Sequence, residues 1–187
     1  TRGRNVSVIF GDGAGAVVLQ PTEKENQGIL STHLHSDGNS AEILAMYNPG
    51  THANHWSEQK LASFDEAEIG QMFFSHAMIN DGQVFPNMDG PAVFKVAVEK
   101  FPAVIREALE ANNRTTADIN LLIPHQANLR ISQFVQKKLQ LRDDQVYNNI
   151  MRYGNTTAAS VPIALCEAWE NGKVKDGDLV CLAAFGS

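Results

Sequence analysis

Apolar and polar positions alternate along this chain in a way that predicts strands and helices in turn. Residues 119–123 form an apolar run that Pro124 ends, as in a short buried strand, and residues 127–140 repeat apolar positions at helical spacing. Three later elements are predicted in the same way: a strand at 146–149, a helix after Asn155 and a buried strand at 178–185. Such alternation favours an α/β fold.

The longest predicted helix covers residues 91–112. Its apolar positions recur every three or four residues, as in a helix with one buried face: Phe94, Ala97, Val98, Phe101, Ile105, Ala108 and Leu109. Pro102 lies inside this pattern and lacks the N–H that a helix interior uses, so we expect a kink or a split there. In the helix at 127–140, four residues are predicted to point inward: Ile131, Phe134, Val135 and Leu139.

The N-terminal region predicts two antiparallel strands, at residues 6–10 and 16–20, joined by a glycine-rich turn. The glycines suit positive φ angles and close packing. A phosphate-binding loop fits less well, because the spacing is not Gly-x-Gly-x-x-Gly and a strand follows. Another strand is predicted at 28–36, which makes the sheet a mixed one. His33 and His35 alternate onto one of its faces, but without the carboxylates or cysteines that a metal site would need.

Residues 40–89 are the least regular part of the sequence. They contain Asn-Pro-Gly and Asn-Asp-Gly turns and one predicted short helix, at 65–78. Unstructured connections of this length in compact domains are usually functional or mobile. The segment is therefore either a surface insertion or a wall or lid of a binding pocket, and the sequence favours neither.

The charge is unevenly spread along the 187 residues. The net charge is −6, which argues against a general nucleic-acid role. Residues 114–152 carry six basic and three acidic residues, a balance of +3, which leaves −9 for the remainder. This basic segment coincides with the helix at 127–140. It is either an ordinary solvated helix face or a docking patch for an acidic partner.

Several features suggest a cytoplasmic chain that is a piece of a longer protein. No apolar run approaches the roughly 20 residues that span a bilayer, and none resembles a signal peptide. The chain begins with Thr rather than Met, which suggests a fragment. Cys166 falls in a predicted helix and Cys181 in a predicted strand, so we interpret both as buried free thiols rather than as a disulfide.

Two polar turns carry the candidate chemistry. His125 follows the strand that Pro124 ends, at a turn where α/β proteins often place reactive groups. Asn155 lies on a second polar turn that leads into a helix. The imidazole and the amide could donate two hydrogen bonds to one developing oxyanion. From the residues alone, a single histidine at a strand end is more often structural than catalytic.

Several motifs occur in one order along the chain: Phe10-Gly-Asp-Gly-Ala-Gly-Ala-Val-Val-Leu19, His33-Leu-His-Ser-Asp-Gly38, Val93-Phe-Lys-Val-Ala-Val98, Pro124-His-Gln-Ala-Asn128, Gly154-Asn-Thr-Thr-Ala-Ala-Ser160 and Ala184-Phe-Gly186. Together they resemble the C-terminal half of the β-ketoacyl-acyl carrier protein synthase III family. The resemblance implies an α/β fold that is half of a thiolase-like fold, with helices packed on a mixed, mostly five-stranded sheet. It also implies one catalytic domain over residues 1–187. The family's nucleophilic cysteine and last strand lie outside this sequence.

The family resemblance implies a decarboxylative Claisen condensation of an acyl-coenzyme A starter with malonyl-acyl carrier protein, the reaction that initiates fatty acid synthesis. No cofactor is implied beyond these substrates. His125 and Asn155 match the residues that hydrogen-bond the malonyl thioester carbonyl. His125 would serve best as a neutral imidazole with a proton on Nε2, held in that tautomer through its other nitrogen. Ser187 matches a backbone donor to the acyl oxyanion.

The resemblance also implies binding residues. Asn128 matches a position near the pantetheine arm, Gly90 and Phe94 match the channel lining, and Arg4 matches a coenzyme A contact. Five residues match positions that dock the acidic carrier protein: Lys95, Gln126, Arg130, Lys137 and Lys138. The implied partners are the acyl carrier protein, acyl-coenzyme A, an N-terminal half and a second subunit of a homodimer, without nucleic acid or membrane.

Two other interpretations stay open. The chain could come from a specialised enzyme of secondary metabolism with an unusual starter group, which the long 40–89 segment favours. It could instead be a non-catalytic domain of the same fold that only binds carrier proteins. In either case we expect the isolated chain to catalyse no condensation, because a thiolate is needed to form the acyl-enzyme.

Overall fold

The computed structural model describes residues 4–25, 27–47 and 76–186. Its elements in chain order are α1 (Arg4–Ser7), β1 (Leu44–Ala45), α2 (His76–Asn80), β2 (Asn87–Met88), α3 (Gly90–Ala111), β3 (Leu121–Pro124), α4 (Leu129–Leu139), α5 (Ile150–Tyr153), α6 (Ser160–Glu170) and β4 (Val180–Ala183). Among the residues described, no helix combines the length and apolar character that crossing a bilayer requires.

The chain divides into two compact units. The first contains residues 1–8, 36–93 and 186–187, and the second contains residues 9–35 and 94–185. The described part of the first unit holds a short antiparallel ladder between β1 and β2. The second unit carries the core, the remaining sheet and both candidate catalytic residues.

The core of the second unit lies on both faces of β3. This strand pairs in parallel with β4 and is buried at all four positions, as its continuous apolar run predicts. Successive side chains point to opposite faces, so Leu122 packs with residues of α3 and α4. Leu121 and Ile123 pack with Ala164 and Ala168 of α6 on the other side. The predicted α/β class, with helices packed on a sheet, is confirmed.

Of the kink or split expected at Pro102, the split is wrong, because α3 runs unbroken through this residue for 22 residues. Proline has no N–H to donate to the carbonyl oxygen of Val98, one turn earlier. The ammonium of Lys138 on α4 lies 3.4 Å from that oxygen and compensates for part of the loss. Arg106 on α3 donates in return to the carbonyl of Lys138, at 3.1 Å. These two contacts join α3 to the C-terminal end of α4.

Three predicted strands are absent. Residues 6–10 contain the end of α1 and a single bridge, whereas 16–20 and 28–36 have no regular structure. The strand at 146–149 is reduced to one bridge, between Val146 and Leu122. The described residues therefore form two sheets of two strands each, not one mostly five-stranded sheet. A strand needs a hydrogen-bonded neighbour, and these segments find none there.

The apolar residues of the absent strands remain largely exposed: Val17, Val18, Leu19, Ile29 and Leu34. Residues 48–75 of the irregular 40–89 segment lie outside the described residues, and they include most of the helix predicted at 65–78. Of that predicted helix, only residues 76–78 are described, and they begin the short helix α2.

The glycine-rich turn serves close packing, which confirms one of its two predicted roles. Gly11, Gly13 and Gly15 do not have the predicted positive φ angles. A Cβ atom on Gly11 would overlap the carbonyl oxygen of Tyr153, and one on Gly13 would lie 2.8 Å from the Ile163 side chain. Missing side chains thus let this segment lie against the chain around residue 155.

Glu167 on α6 anchors α5, the short helix that precedes the Asn155 turn. Its carboxylate accepts hydrogen bonds from Asn149 Nδ2 at 2.8 Å and from the Tyr153 hydroxyl at 3.1 Å, and it forms an ion pair with Arg152. Burial alone would raise the pKa of this carboxyl. The hydrogen bonds and the positive charge of Arg152 outweigh burial, so the pKa lies below its ordinary value.

We predict that Gly11→Ala destabilises the protein by about 1–3 kcal/mol, because the added methyl group would push the 9–11 segment away from Tyr153. Gly38→Ala is the matched control, since a Cβ there meets no atom within 4 Å. Its free energy of unfolding should change by at most about 0.5 kcal/mol. Urea unfolding followed by circular dichroism measures both, and equal stability of the two variants would contradict the packing role.

We predict that Glu167→Gln lowers the free energy of unfolding at neutral pH by about 1–2 kcal/mol, through loss of charge-assisted bonds. A carboxyl with a depressed pKa contributes stability above its unfolded pKa and loses it as the pH falls through the folded pKa. The variant should therefore lose less stability on acidification below about pH 4.5 than the parent protein. Glu170→Gln, an exposed neighbour on α6, is the control. Parallel acid unfolding curves for Glu167→Gln and its parent would contradict this role.

Candidate active site

His125 occupies the first position after β3. Its backbone N–H donates to the carbonyl of Ala183 at 2.7 Å, which continues the parallel pairing of β3 with β4 by one residue. The imidazole is partly buried, and this burial lowers the pKa of His125 below its ordinary value. A lowered pKa favours the neutral ring, which is the form that the sequence interpretation required.

Ser160 is a site residue that sequence reasoning missed. It is the first residue of α6 and is 2% exposed. Its hydroxyl oxygen lies 2.6 Å from Nδ1 of His125 and accepts a hydrogen bond from the Gln126 backbone N–H at 3.2 Å. Ser160 closes the same motif that contains Asn155, and that motif was the available signal. The serine therefore joins the two polar turns.

Asn155 is held by both its backbone and its side chain. Its N–H donates to the carbonyl of Ile9 at 3.0 Å, and its own carbonyl accepts from Gly11 N–H at 2.9 Å. The side-chain oxygen accepts from Thr157 N–H at 2.8 Å. Thr157 has φ 52°, a left-handed conformation that is costly for a β-branched residue and is common at functional sites. This arrangement leaves the Asn155 amide nitrogen as the donating end.

The two turns present two donor groups. Within the part of the chain that the structure describes, His125 Nε2 and Asn155 Nδ2 make no hydrogen bond. Both nitrogens are therefore left without a protein acceptor among these residues. Two positioned neutral donors suit an oxygen on which negative charge develops.

Gln126 lies in the interior rather than on a docking surface. Its side chain is 3% exposed, and its amide nitrogen donates to the carbonyl of Pro124 at 2.6 Å. Its side-chain oxygen accepts from the N–H groups of Asn149 and Ile150 at 2.9 and 3.1 Å. The predicted contact of Gln126 with a carrier protein is therefore corrected to a structural role: the residue fastens the end of β3 to the start of α5.

The remaining predicted binding residues lie on helices. Asn128 caps α4, because its side-chain oxygen accepts from Arg130 N–H at 2.9 Å. Phe94 meets the ring of Phe134 edge to face, with centroids 6.3 Å apart. Phe134 is 43% exposed, so its predicted inward orientation is wrong. The side chains of four predicted docking residues are exposed: Lys95 on α3 and Arg130, Lys137 and Lys138 on α4. In the first unit, Arg4 begins α1 and Gly90 begins α3.

Both cysteines are free, as predicted. Cys181 lies in β4, where burial raises the pKa of its thiol to about 11. Cys166 is exposed on α6, so its predicted burial is wrong. Its sulfur lies 3.8 Å from the Glu170 carboxylate, which is not the electropositive setting that activates a thiol.

His33 and His35 do share one side of their segment. Both contact the Glu107 carboxylate on α3, at 3.0 and 2.7 Å, and these hydrogen bonds hold the pKa of that carboxyl below its usual value. Across the described ranges, no group of three or more His, Cys, Asp or Glu side chains is arranged to hold a metal ion. The cluster therefore ties residues 31–35 to α3.

Comparisons with known proteins identify the family. The model of the 3-oxoacyl-[acyl-carrier-protein] synthase III family matches residues 1–38, and the model of the C-terminal part of that family matches residues 109–187. β-Ketoacyl-[acyl-carrier-protein] synthase III of Clostridium tetani is 40% identical over 184 residues, which is 98% of this chain and 51% of that protein.

Two solved structures extend the comparison. The 3-oxoacyl-(acyl carrier protein) synthase III of Pseudomonas aeruginosa PAO1 superposes with a TM-score of 0.76 and 34% identity, over 98% of this chain and 48% of that chain. The priming β-ketosynthase of the R1128 polyketide pathway gives 0.56 and 28% identity, over 78% and 37%. This chain spans about half the length of the curated relatives it matches. With the family's models at both ends and relatives along nearly all of its length, the chain belongs to the 3-oxoacyl-[acyl-carrier-protein] synthase III family.

Proposed function

We propose that this chain supplies the enolate-stabilising half of the active site of a β-ketoacyl-acyl carrier protein synthase III. The enzyme would condense an acyl group from acyl-coenzyme A with malonyl-acyl carrier protein and so initiate fatty acid synthesis. One observation carries the proposal: His125 Nε2 and Asn155 Nδ2 are both left without a protein partner among the described residues, on turns that Ser160 connects. The names of the relatives support the substrate class.

The chemistry follows from where charge develops. When malonyl thioester loses CO₂, the electron pair of the broken bond is delocalised onto the thioester carbonyl oxygen as an enolate. His125 and Asn155 would each donate a hydrogen bond to that oxygen, and the neutral imidazole would keep its proton. The enolate carbon then attacks the acyl thioester. A carbon–carbon bond forms, the carbon–sulfur bond breaks, and the enzyme thiolate leaves.

The nucleophilic thiol would come from outside this chain. Cys181 has a thiol pKa of about 11, so it is not a thiolate at neutral pH. Cys166 is exposed on α6, and its sulfur lies 3.8 Å from the Glu170 carboxylate rather than beside a cation. The isolated chain should therefore carry no acyl group, and the N-terminal half, homodimer and cytoplasmic location expected from the sequence belong to this proposal.

The carrier protein would dock on the exposed cations of α4. Arg130 and Lys137 lie seven positions apart, two helical turns along the same face, and Lys95 of α3 adds a third cation. The positive charges would attract a carrier protein that presents carboxylates and a phosphate, and would form ion pairs with these groups once it is bound. Lys138 is exposed too, but its contact with the Val98 carbonyl gives it a second, structural role.

A specialised starter enzyme is the second candidate. The similarity to a polyketide priming β-ketosynthase favours it, although at lower identity and TM-score than the fatty acid synthases. A panel of acyl-coenzyme A starters separates the two. Preference for acetyl-coenzyme A would support primary fatty acid synthesis, and preference for a longer or branched acyl group would support the specialised role.

We predict that His125→Ala and Asn155→Ala in the full-length enzyme each reduce condensation by about 10²- to 10⁴-fold, as expected for loss of a positioned catalytic hydrogen bond. Malonyl decarboxylation should fall in parallel, and acyl transfer to the nucleophile should fall less. His35→Ala, a change at an exposed histidine, is the control and should retain activity. Decarboxylation at the parental rate in both variants would contradict the assignment of His125 and Asn155 as donors to the enolate oxygen.

We predict that Arg130→Glu and Lys137→Glu raise the KM for malonyl-acyl carrier protein far more than the KM for malonyl-coenzyme A. The KM of the parent enzyme for the carrier protein should also rise with salt, because exposed charges are screened. Lys175→Glu makes the same charge change at an exposed position outside α4 and serves as the control. Equal losses with both malonyl substrates would show that the α4 cations do not dock the carrier.

A further inference from the structure

We propose that Ser160 is a positioning residue that sets the tautomer of His125, by donating its hydroxyl proton to Nδ1 so that the ring proton stays on Nε2. The inference deepens the proposed function and rests on it. It concerns a side chain to which the sequence analysis gave no role in the chemistry.

Hydrogen-bond accounting at the Ser160 oxygen carries the inference. A hydroxyl has one proton to donate and two lone pairs that accept. One lone pair accepts the Gln126 backbone N–H at 3.2 Å, and this direction is fixed because the backbone nitrogen can only donate. The remaining contact is the 2.6 Å approach to His125 Nδ1, which either atom could donate.

Only one direction satisfies every group. If Nδ1 carried the ring proton and donated it, the Ser160 hydroxyl would need another acceptor. Among the described residues, its oxygen has hydrogen-bond partners only in His125 and Gln126, and the Gln126 N–H cannot accept. A buried hydroxyl without a partner costs about 1–3 kcal/mol. At 2% exposure Ser160 is also poorly placed to find water. When the hydroxyl donates to Nδ1, the three groups are all paired.

The tautomer decides what His125 can do. With the ring proton on Nε2, the imidazole presents a donor to an enolate oxygen. With the proton on Nδ1, it would present a lone pair to the same oxygen and repel it. Ser160 begins α6, whose Ala164 and Ala168 pack against β3, so the hydroxyl is fixed relative to His125 by the core itself.

The direct test is the protonation state of His125 in the full-length enzyme labelled with ¹⁵N-histidine. Long-range proton–nitrogen spectra distinguish a protonated from an unprotonated ring nitrogen, and the His125→Ala variant identifies the signals. We expect a protonated Nε2 and an unprotonated Nδ1 in the parent enzyme. A protonated Nδ1 with a bare Nε2 would overturn the inference, whatever the variants do.

Variants test the consequence. Ser160→Ala should populate both tautomers and lower the kcat of malonyl decarboxylation about 5- to 30-fold, the equivalent of one buried hydrogen bond. Its KM for malonyl-coenzyme A should change little. Ser160→Thr keeps the hydroxyl and should restore the tautomer and most of the rate. A Ser160→Ala enzyme with parental rate and a single Nε2–H tautomer would also overturn the inference.

Ser132→Ala is the matched control. Ser132 is a buried serine in α4 of the same unit, and its hydroxyl has no hydrogen-bond partner among the described residues. Its removal should leave both the rate and the His125 spectrum unchanged. Failure of this inference is distinguishable from failure of the proposed function. Full condensation activity in His125→Ala would contradict the proposed function. Parental activity in Ser160→Ala together with an inactive His125→Ala would contradict only the role of Ser160.

Discussion

The burial of β3 on both faces is the constraint on which the site depends. Side chains of α3 and α4 cover one face and those of α6 cover the other, so the strand has no freedom to shift along β4. A shift of one residue in the pairing of β3 with β4 would turn each side chain of β3 to the opposite face of the sheet. Pro124 ends the strand, and the next N–H still bonds to Ala183. The position of His125 is therefore set by packing energy that has nothing to do with catalysis.

The polar groups next to this apolar core are held in position by hydrogen bonds to one another. Gln126 uses both ends of its amide on backbone groups, and Ser160 bonds to the ring of His125 and to the N–H that follows it. Such fully paired networks are costly to rearrange in a buried setting, because every partial arrangement leaves an unpaired group. Among these described groups, His125 Nε2 and Asn155 Nδ2 keep a hydrogen-bonding capacity unused. These two nitrogens are the donors that the proposed function assigns to the enolate oxygen.

Periodicity alone predicted the elements that carry the core. The apolar run of β3 and the helical stripes of α3, α4 and α6 each reflect local sequence and one buried face. The strands expected at 16–20 and 28–36 depend on a neighbouring edge, which local pattern cannot supply. Phe134 was expected to point inward because of its helical spacing, but it is exposed. Cys166 was expected to be buried in its helix, and it is exposed too.

The site was only partly accessible from sequence. His125 and Asn155 stand out as polar residues on turns, so their motifs could be recognised. Ser160 and Glu167 act through contacts with residues in other elements of the chain. Gln126 was expected to dock the carrier protein from the family resemblance alone, but it is buried. The left-handed Thr157 has no sequence signal at all, since glycine or asparagine is the usual residue there.

A crystal structure of the full-length enzyme with a non-reactive malonyl thioester analogue tests the central claim most directly. The account predicts that the thioester carbonyl oxygen lies within about 2.7–3.2 Å of both His125 Nε2 and Asn155 Nδ2. A thioester carbonyl bound by other groups, with either nitrogen turned away from it, would contradict the account.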